Sequence, residues 1–510
     1  MSKDLKTLRQ GHHPGLVWSS LATVVLAYGY FWLCHREAFN GLLADSWVSL
    51  AAAKSLVAGP RLESAFLLHI ARHWPLPPFY AVLLALTGTI DPGRIWLLNA
   101  TLMAGAVLLS GVVARAFGLR ASVAVLIALT FATLPQTLLS VLNLLSEVPY
   151  LVFTLGAVAM AVQADRAPRC WWVVAVLCGL AAITRTVGVA AVLAFLVAWG
   201  ARGATARRPW VALPALLPPL LWWGIGQSAG FAQYSGAGDP LPLLARLQAN
   251  GAAFAYSALV GIDPLEPTSV QWLVVLLVAL AVPAWWRRLR ALQFDACYCL
   301  FYGGVMAFWP HTAHAPRFLF PLWPLLLCYA CLPLAWLAGS LHKTSVQRLL
   351  AGVLPVLMLM GGLPAAWLLV TTIAKEDGGP FAVAVRGPAW HLHAEAEARQ
   401  GAVFEARLET LLASLRQTPR DTCVATVVPE QVLFFGERRS VNVQDTVGRP
   451  AALDTVLAAC PLVLMVDARP FPRVEGLEAR YPEDVLQGRL QPLLEAPGVA
   501  LLAAVKKPAR

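Results

Sequence analysis

Over the first 373 residues apolar positions come in unbroken runs rather than alternating or helical stripes. The runs cover residues 15–34, 93–114, 121–141, 148–164, 171–184, 187–201, 210–226, 270–286, 292–309, 318–339 and 349–373. A bilayer core ~30 Å thick takes ~20 apolar residues of helix. The pattern therefore predicts an all-α polytopic domain of about eleven transmembrane helices. The runs 171–184 and 187–201 are short and meet at Arg185, which predicts a hairpin of two tilted or partly re-entrant helices. The stretch 241–262 is nearly apolar enough to span but holds Arg246, Gln248 and Asn250. It is expected to lie along the outer interface as an amphipathic helix, as are 44–58 and 76–90, which flank a polar segment in a long first outer loop. The first run is too long for a cleavable signal and lacks a small-residue cleavage site, so it is expected to be retained.

From residue 374 the pattern changes to short elements. Residues 395–416 have helical spacing, as do Ala451–Ala459 and Pro482–Leu494, while Thr422–Val428, Leu462–Val466 and Val499–Val505 are strand-like. Alternation of this kind predicts a compact sheet with helical cover. The expected organisation is a membrane domain over 1–373 and a small soluble α/β domain over 374–510. Cys423 and Cys460 are the tail's only cysteines, sit beside two of the strands, and are a candidate pair in an oxidising compartment. Arg438 and Arg439 are expected on a solvated loop. The tail has no Gly-rich phosphate loop and no nucleophile motif.

Composition agrees with lipid as solvent. Hydrophobic residues make up 58% of the chain and charged residues 13%, against about 25% charged in soluble domains. A disordered chain, a cytosolic enzyme and a nucleic-acid binder are excluded on that ground. The formal charge of +11 lies wholly in the membrane part: residues 1–373 carry 23 Lys/Arg against 11 Asp/Glu, and residues 374–510 carry 16 against 17. With the amino terminus inside, alternate loops hold Lys3/Lys6/Arg9, Arg115/Arg120, Arg166/Arg169, Arg202/Arg207/Arg208, Arg287/Arg288/Arg290 and Lys343/Arg348. Acids such as Glu37, Asp45, Glu63, Asp91 and Glu147 fall opposite. This positive-inside asymmetry predicts a multi-pass protein of the bacterial inner membrane with a periplasmic tail. Arg287–Arg290 is read as a topology signal, not a nucleic-acid patch.

Ionisable residues at membrane depth or at its rim are costly, so each is a functional candidate. On the expected outer side these are Asp45, Lys54, Arg72, His73, Glu147, Arg185, His311, His314 and Arg317. Asp45 and Glu147 also fit as helix-start residues, and the arginines as residues that snorkel to headgroups. Two histidines three apart make weak metal ligands.

The stretch from Asp45 to Gly59 resembles the first outer loop of the GT-C integral-membrane glycosyltransferases, which include protein O-mannosyltransferases and the aminoarabinose transferase of lipid A. There an acidic residue opens an interfacial helix. Four further stretches follow in the family's order. Leu76-Pro-Pro-Phe-Tyr80 is similar to H-P-P-L-Y, with Leu76 in place of the histidine, and Leu145-Ser-Glu147 to the second acidic motif. Ala182-Ile-Thr-Arg-Thr-Val-Gly188 is similar to L-T-R-P-T-G, with Thr186 in place of the proline, and Arg317-Phe-Leu-Phe-Pro-Leu-Trp-Pro324 to R-Y-L-L-P-L-L-P. The resemblance covers residues 15–340. It implies transfer of a sugar from a polyprenyl-phosphate donor to an envelope lipid, glycan or protein.

Such a transfer breaks a C1–O bond through an oxocarbenium-like state while an acceptor hydroxyl loses its proton. It needs one carboxylate as base and cationic groups on the departing phosphate. Asp45 is the expected base, with Glu147 as a second carboxylate orienting the acceptor or an optional divalent metal ion. Arg317 and Arg185 are the expected phosphate contacts, since a guanidinium fork matches phosphate oxygens. Lys54 and His314 are secondary candidates for the same role. The competing readings are a lipid-linked-sugar flippase or other transporter, and a non-catalytic envelope scaffold.

Overall fold

The computed structural model describes residues 14–34, 44–58, 77–202, 208–229, 242–263, 267–309, 315–339, 344–374, 383–386, 389–392, 395–443, 450–466, 490–496 and 499–504. Each apolar run becomes a helix, and the breaks between helices have local causes. Helix α1 covers Pro14–Cys34, α2 Ala44–Ala58 and the short α3 Phe79–Ala85. Helix α4, Pro92–Ala116, starts at Asp91, whose carboxylate accepts from the Arg94 N–H at 3.0 Å, with proline in the first turn. The next run is split by Pro135 into α5, Ala121–Thr133, and α6, Pro135–Leu142, bent by 54°. Helix α7 covers Glu147–Ala164. Helix α8, Cys170–Thr184, and α9, Val189–Gly200, are parted by Arg185 and one tight turn. There follow α10, Leu213–Ala229, α11, Leu243–Ile262, α12, Gln271–Arg290, and α13, Phe294–Ala307. The set ends with the single turn α14, Ala315–Leu319, then α15, Trp323–Gly339, and α16, Thr344–Ala374.

Among the described residues five helices are long and apolar enough to cross a membrane, or six if the bent pair α5–α6 is one span. That is fewer than the eleven runs. The difference is physical: polar or proline breaks leave several apolar helices at 10–17 residues, α8, α9 and α13 among them. Helix α4 is central and packs against α1, α5 and α7, while α7 lies along α8, α9 along α13, and α12 along α15. At the α5–α6 bend the Ala132 carbonyl accepts from Tyr30 at 2.9 Å. Thr130 donates to the Pro355 carbonyl of α16 at 3.0 Å, and Asn99 to the Val141 carbonyl at the end of α6 at 2.8 Å. Helix α11 is not among the helices of span length and apolarity. Its Asn250 is buried and donates to the carbonyls of Met306, Ala307 and Trp309, closing the carboxyl end of α13. Large apolar side chains such as Tyr28, Trp223, Val275 and Trp367 stand on the outside of the bundle, where a soluble protein would hide them.

The tail begins with a hairpin of β1, Val383–Arg386, and β2, Ala389–Leu392, followed by α17, Glu395–Ser414. A five-stranded mixed sheet comes next, built from β3, Cys423–Thr426, β4, Arg439–Asn442, β5, Leu462–Val466, β6, Leu490–Ala496, and β7, Val499–Ala504. Its order is β4-β3-β5-β7-β6, with β3 parallel to β4 and β5, and β7 antiparallel to β5 and β6. Helix α18, Pro450–Ala459, precedes β5, and Cys423 and Cys460 form a disulfide. Two expectations are corrected. Pro482–Leu494 is not helical through its end. From Leu490 it is a strand, because Ala496 pairs with Val499 and only Pro497-Gly498 joins the two arms, a hairpin signal stronger than the local helical spacing. Arg438 is not solvated: it is buried and donates to the carbonyls of Arg416, Thr418 and Glu437.

Candidate active site

Three segments far apart in sequence meet at the end of the bundle where α7 begins. The first is the loop after α6, which places Glu147 in the opening turn of α7, where the helix dipole favours its charge. The second is the break between α8 and α9. Arg185 there is extended (φ −146°, ψ 143°), and its carbonyl accepts from Gly188 N–H at 2.8 Å, so the chain reverses over the end of α8. The reversal needs glycine: a Cβ on Gly188 would stand 2.3 Å from the Ala181 carbonyl oxygen. The third is α14, which carries Arg317.

The side chains form a triad around one carboxylate. Arg317 sends Nε and Nη2 to Glu147 Oε1, each at 2.9 Å. Arg185 pairs through Nη1 with Glu147 Oε2, and the same nitrogen donates to Ser146 Oγ at 3.3 Å. The side chains of Glu147 and Arg317 are 1% and 5% exposed, and that of Arg185 is 13% exposed. Aromatic groups wall the triad. Arg185 lies 5.8 Å from the Phe318 ring centroid, Tyr302 donates to the Phe318 carbonyl at 2.6 Å, and Tyr80 on α3 lies within electrostatic reach of Glu147. One acid and two bases leave the cluster at +1 by formal charge. Arg317 is the inner, fully desolvated partner that fixes Glu147. Arg185 is the outer one, and among the described residues its Nε and Nη2 have no partner.

The structure thus brings together Glu147, Arg185 and Arg317. It places Lys54 elsewhere: Nζ donates to the Phe434 carbonyl at 2.7 Å and pairs with Glu437 at 2.8 Å, both in the tail. Asp45 lies in the first turn of α2, but its side chain is outside the described residues, as are Arg72, His73, Leu76, His311 and His314. Among the described residues no cluster of three His, Cys, Asp or Glu could hold a metal ion. Glu147, moreover, faces guanidinium on both oxygens. A dication would have to displace an arginine there, so the metal role expected for Glu147 does not fit its surroundings.

A second buried ion pair was not foreseen. At the opposite end of the bundle Arg288 grips Asp295 through Nε and Nη2 at 2.6 and 2.7 Å, Tyr329 donates to the same carboxylate at 2.6 Å, and the guanidinium sits 4.1 Å over the Phe117 ring. Nearby Arg202 pairs with Asp165 at 2.7 Å. The available signal was that Asp165 and Asp295 are acids beside otherwise basic loops.

The sequence matches no protein-family model and no curated protein. The fold does have solved counterparts. ArnT from Cupriavidus metallidurans, bound to undecaprenyl phosphate, aligns with TM-score 0.55 at 12% identity over 97% of this chain and 99% of that one. AglB, the oligosaccharyltransferase of Archaeoglobus fulgidus, in complex with an inhibitory peptide and a dolichol-phosphate, aligns with TM-score 0.52 at 10% identity, over 88% of this chain and 69% of that one. The chain shares the fold of these two structures. The triad stands at the helix-bundle end that also carries α2 and the tail.

Proposed function

We propose that the protein is a GT-C glycosyltransferase. It moves a hexosyl or pentosyl group from a polyprenyl-phosphate carrier to an envelope lipid, glycan or protein on the periplasmic face of the bacterial inner membrane. In this reading all eleven apolar runs cross or enter the bilayer, residues 1–373 are the transferase unit, and residues 374–510 are a periplasmic domain. The fold is shared with proteins whose structures hold undecaprenyl phosphate and dolichol-phosphate. The observation that carries the reading is the Glu147–Arg185–Arg317 triad, with donors on Arg185 that have no partner among the described residues.

The charge arithmetic fits the reaction. A polyprenyl-phosphate sugar is a phosphodiester of charge −1, and the triad presents +1. As the acceptor oxygen attacks C1, the C1–O bond to phosphate breaks and its electron pair leaves with the phosphate, which moves towards −2. The acceptor proton passes to the Asp45 carboxylate. Arg185 meets the growing charge, and a site that binds the product charge better than the reactant's is one that lowers the barrier. Glu147 and Arg317 keep Arg185 aimed. No strong general acid is required, because phosphate leaves as an anion.

The test is complementation of a deletion strain, read by mass spectrometry of its lipid-linked sugars and envelope glycans. The expected result is accumulation of a polyprenyl-phosphate sugar and loss of one glycan modification. Wild type restores both, and Asp45→Asn restores neither although it accumulates in the membrane at the wild-type level. Full restoration by Asp45→Asn removes the assignment of the base.

A further inference from the structure

The helix that opens with Asp45 is held by the tail. Trp47, in the same turn as Asp45, packs its ring 5.3 and 5.1 Å from those of Phe434 and Phe435. Two turns further on, Lys54 donates to the Phe434 carbonyl, pairs with Glu437, and stands 5.2 Å from the Phe434 ring centroid. Residues 432–437 therefore touch α2 near both ends. A 15-residue helix is marginal without tertiary support, since isolated helices need roughly 12–15 residues even to persist, so its neighbours set its position.

The tail's turn is itself rigid. Arg416 donates to the Phe435 carbonyl at 2.7 Å and lies 3.6 Å from Glu437, and buried Arg438 donates to the carbonyls of Gly436 and Glu437. Gly436 sits against Leu412 and Leu415 so closely that a Cβ would stand 3.1 Å from a Leu415 methyl. Glu437 adopts a left-handed conformation, φ 53°, which a residue with a side chain holds only when its surroundings compel it. The conformation turns its carboxylate onto Lys54.

We propose that the 434–437 turn of the tail is a positioning element for the transferase reaction, acting through Trp47 and Lys54 to set α2 and with it the Asp45 turn. This deepens the transferase reading and rests on it. Lys54 and Glu437 are positioning residues that do not touch the donor. The tail is then part of the catalytic unit: movement of the turn, by acceptor binding or otherwise, moves the base.

The experiment compares wild type with Lys54→Met, Glu437→Gln and the conservative Lys54→Arg, all purified full length. Two things are read: steady-state transfer from polyprenyl-phosphate-sugar extracted from the deletion strain, and hydrogen exchange of the amides of residues 44–58. Lys54→Met and Glu437→Gln are expected to raise exchange in α2 and lower kcat roughly 10- to 100-fold, the scale of a small misplacement near the chemistry, with donor KM unchanged. Lys54→Arg is expected to keep both near wild type. Unchanged exchange and kcat overturn the proposal. A change confined to donor KM also overturns it, since that makes Lys54 a donor ligand. Raised exchange in a chain whose wild type transfers no sugar supports the clasp and sinks the transferase reading, so the two failures are told apart.

Discussion

At the scale of single residues the site is an exercise in charge compensation. Glu147 is buried and tolerable only because two guanidinium groups face it, and those groups are tolerable only because of Glu147. Glu147→Gln strands two buried cations and is expected to cost about 3–5 kcal/mol of stability, read as a lowered thermal midpoint in detergent. Arg185→Lys keeps the charge, so the midpoint should stay near wild type. It loses the fork, and transfer should fall roughly 10- to 100-fold, the worth of one charge-assisted hydrogen bond. Equal effects of the two substitutions would contradict the division of roles. Glu147, Arg185 and Arg317 were legible in the sequence because a charge at the membrane rim announces itself. That both arginines would meet on one carboxylate was not legible, nor was the engagement of Lys54 by Glu437. The first joins Glu147 to residues 38 and 170 positions along the chain, and the second joins separate domains. Arg438 reads as a loop residue for the same reason: no local pattern says that the carbonyls of Arg416 and Thr418 will close around it.

At the scale of elements, solvent decides what can be read. Lipid forces long apolar helices with internally satisfied backbones, so each run in the first 373 residues appears as a helix close to its expected place. The tail is solvated by water and its elements are short, so spacing competes with turn chemistry. Leu490–Leu494 lost that competition to the Pro497-Gly498 connection, and nothing in the local spacing marks β4. The break between α8 and α9 is the element on which the site turns. A methyl at Gly188 would collide with backbone that has no rotamer to yield, at a cost of about 1–3 kcal/mol in strain. Gly188→Ala is expected to displace Arg185 and lower transfer as Arg185→Lys does. Gly105→Ala on α4, where a Cβ meets nothing within 4 Å, should leave transfer unchanged. Equal loss in both would detach the turn from the function.

For the whole molecule, the contact between tail and membrane domain responds to pH through Glu437. Glu437 is opposed by burial, but Lys54, Arg416 and Arg438 together hold its carboxyl below the ordinary value of 4.5. The pair's contribution is thus complete above that value and is lost as acid carries the solution through the depressed one. Burial lowers the Lys54 ammonium despite its Glu437 partner, so the docked state favours the neutral amine and alkali does not undo the contact. Protection of α2 amides, corrected for the intrinsic pH dependence of exchange, should therefore fall in acid as Glu437 is protonated and should not fall in alkali as Lys54 is discharged. In Glu437→Gln the acid limb should vanish. A profile that keeps its acid limb in that variant would assign the effect to another group.

The Arg288–Asp295–Tyr329 cluster gives the molecule two unlike ends. It rivets α12, α13 and α15 together through a doubly bonded ion pair and a phenol. A carrier that rocks open to both compartments must part such helices once in every cycle, and parting a buried pair costs about 3–5 kcal/mol. A machine that keeps its chemistry at one rim can leave the far end bolted for good.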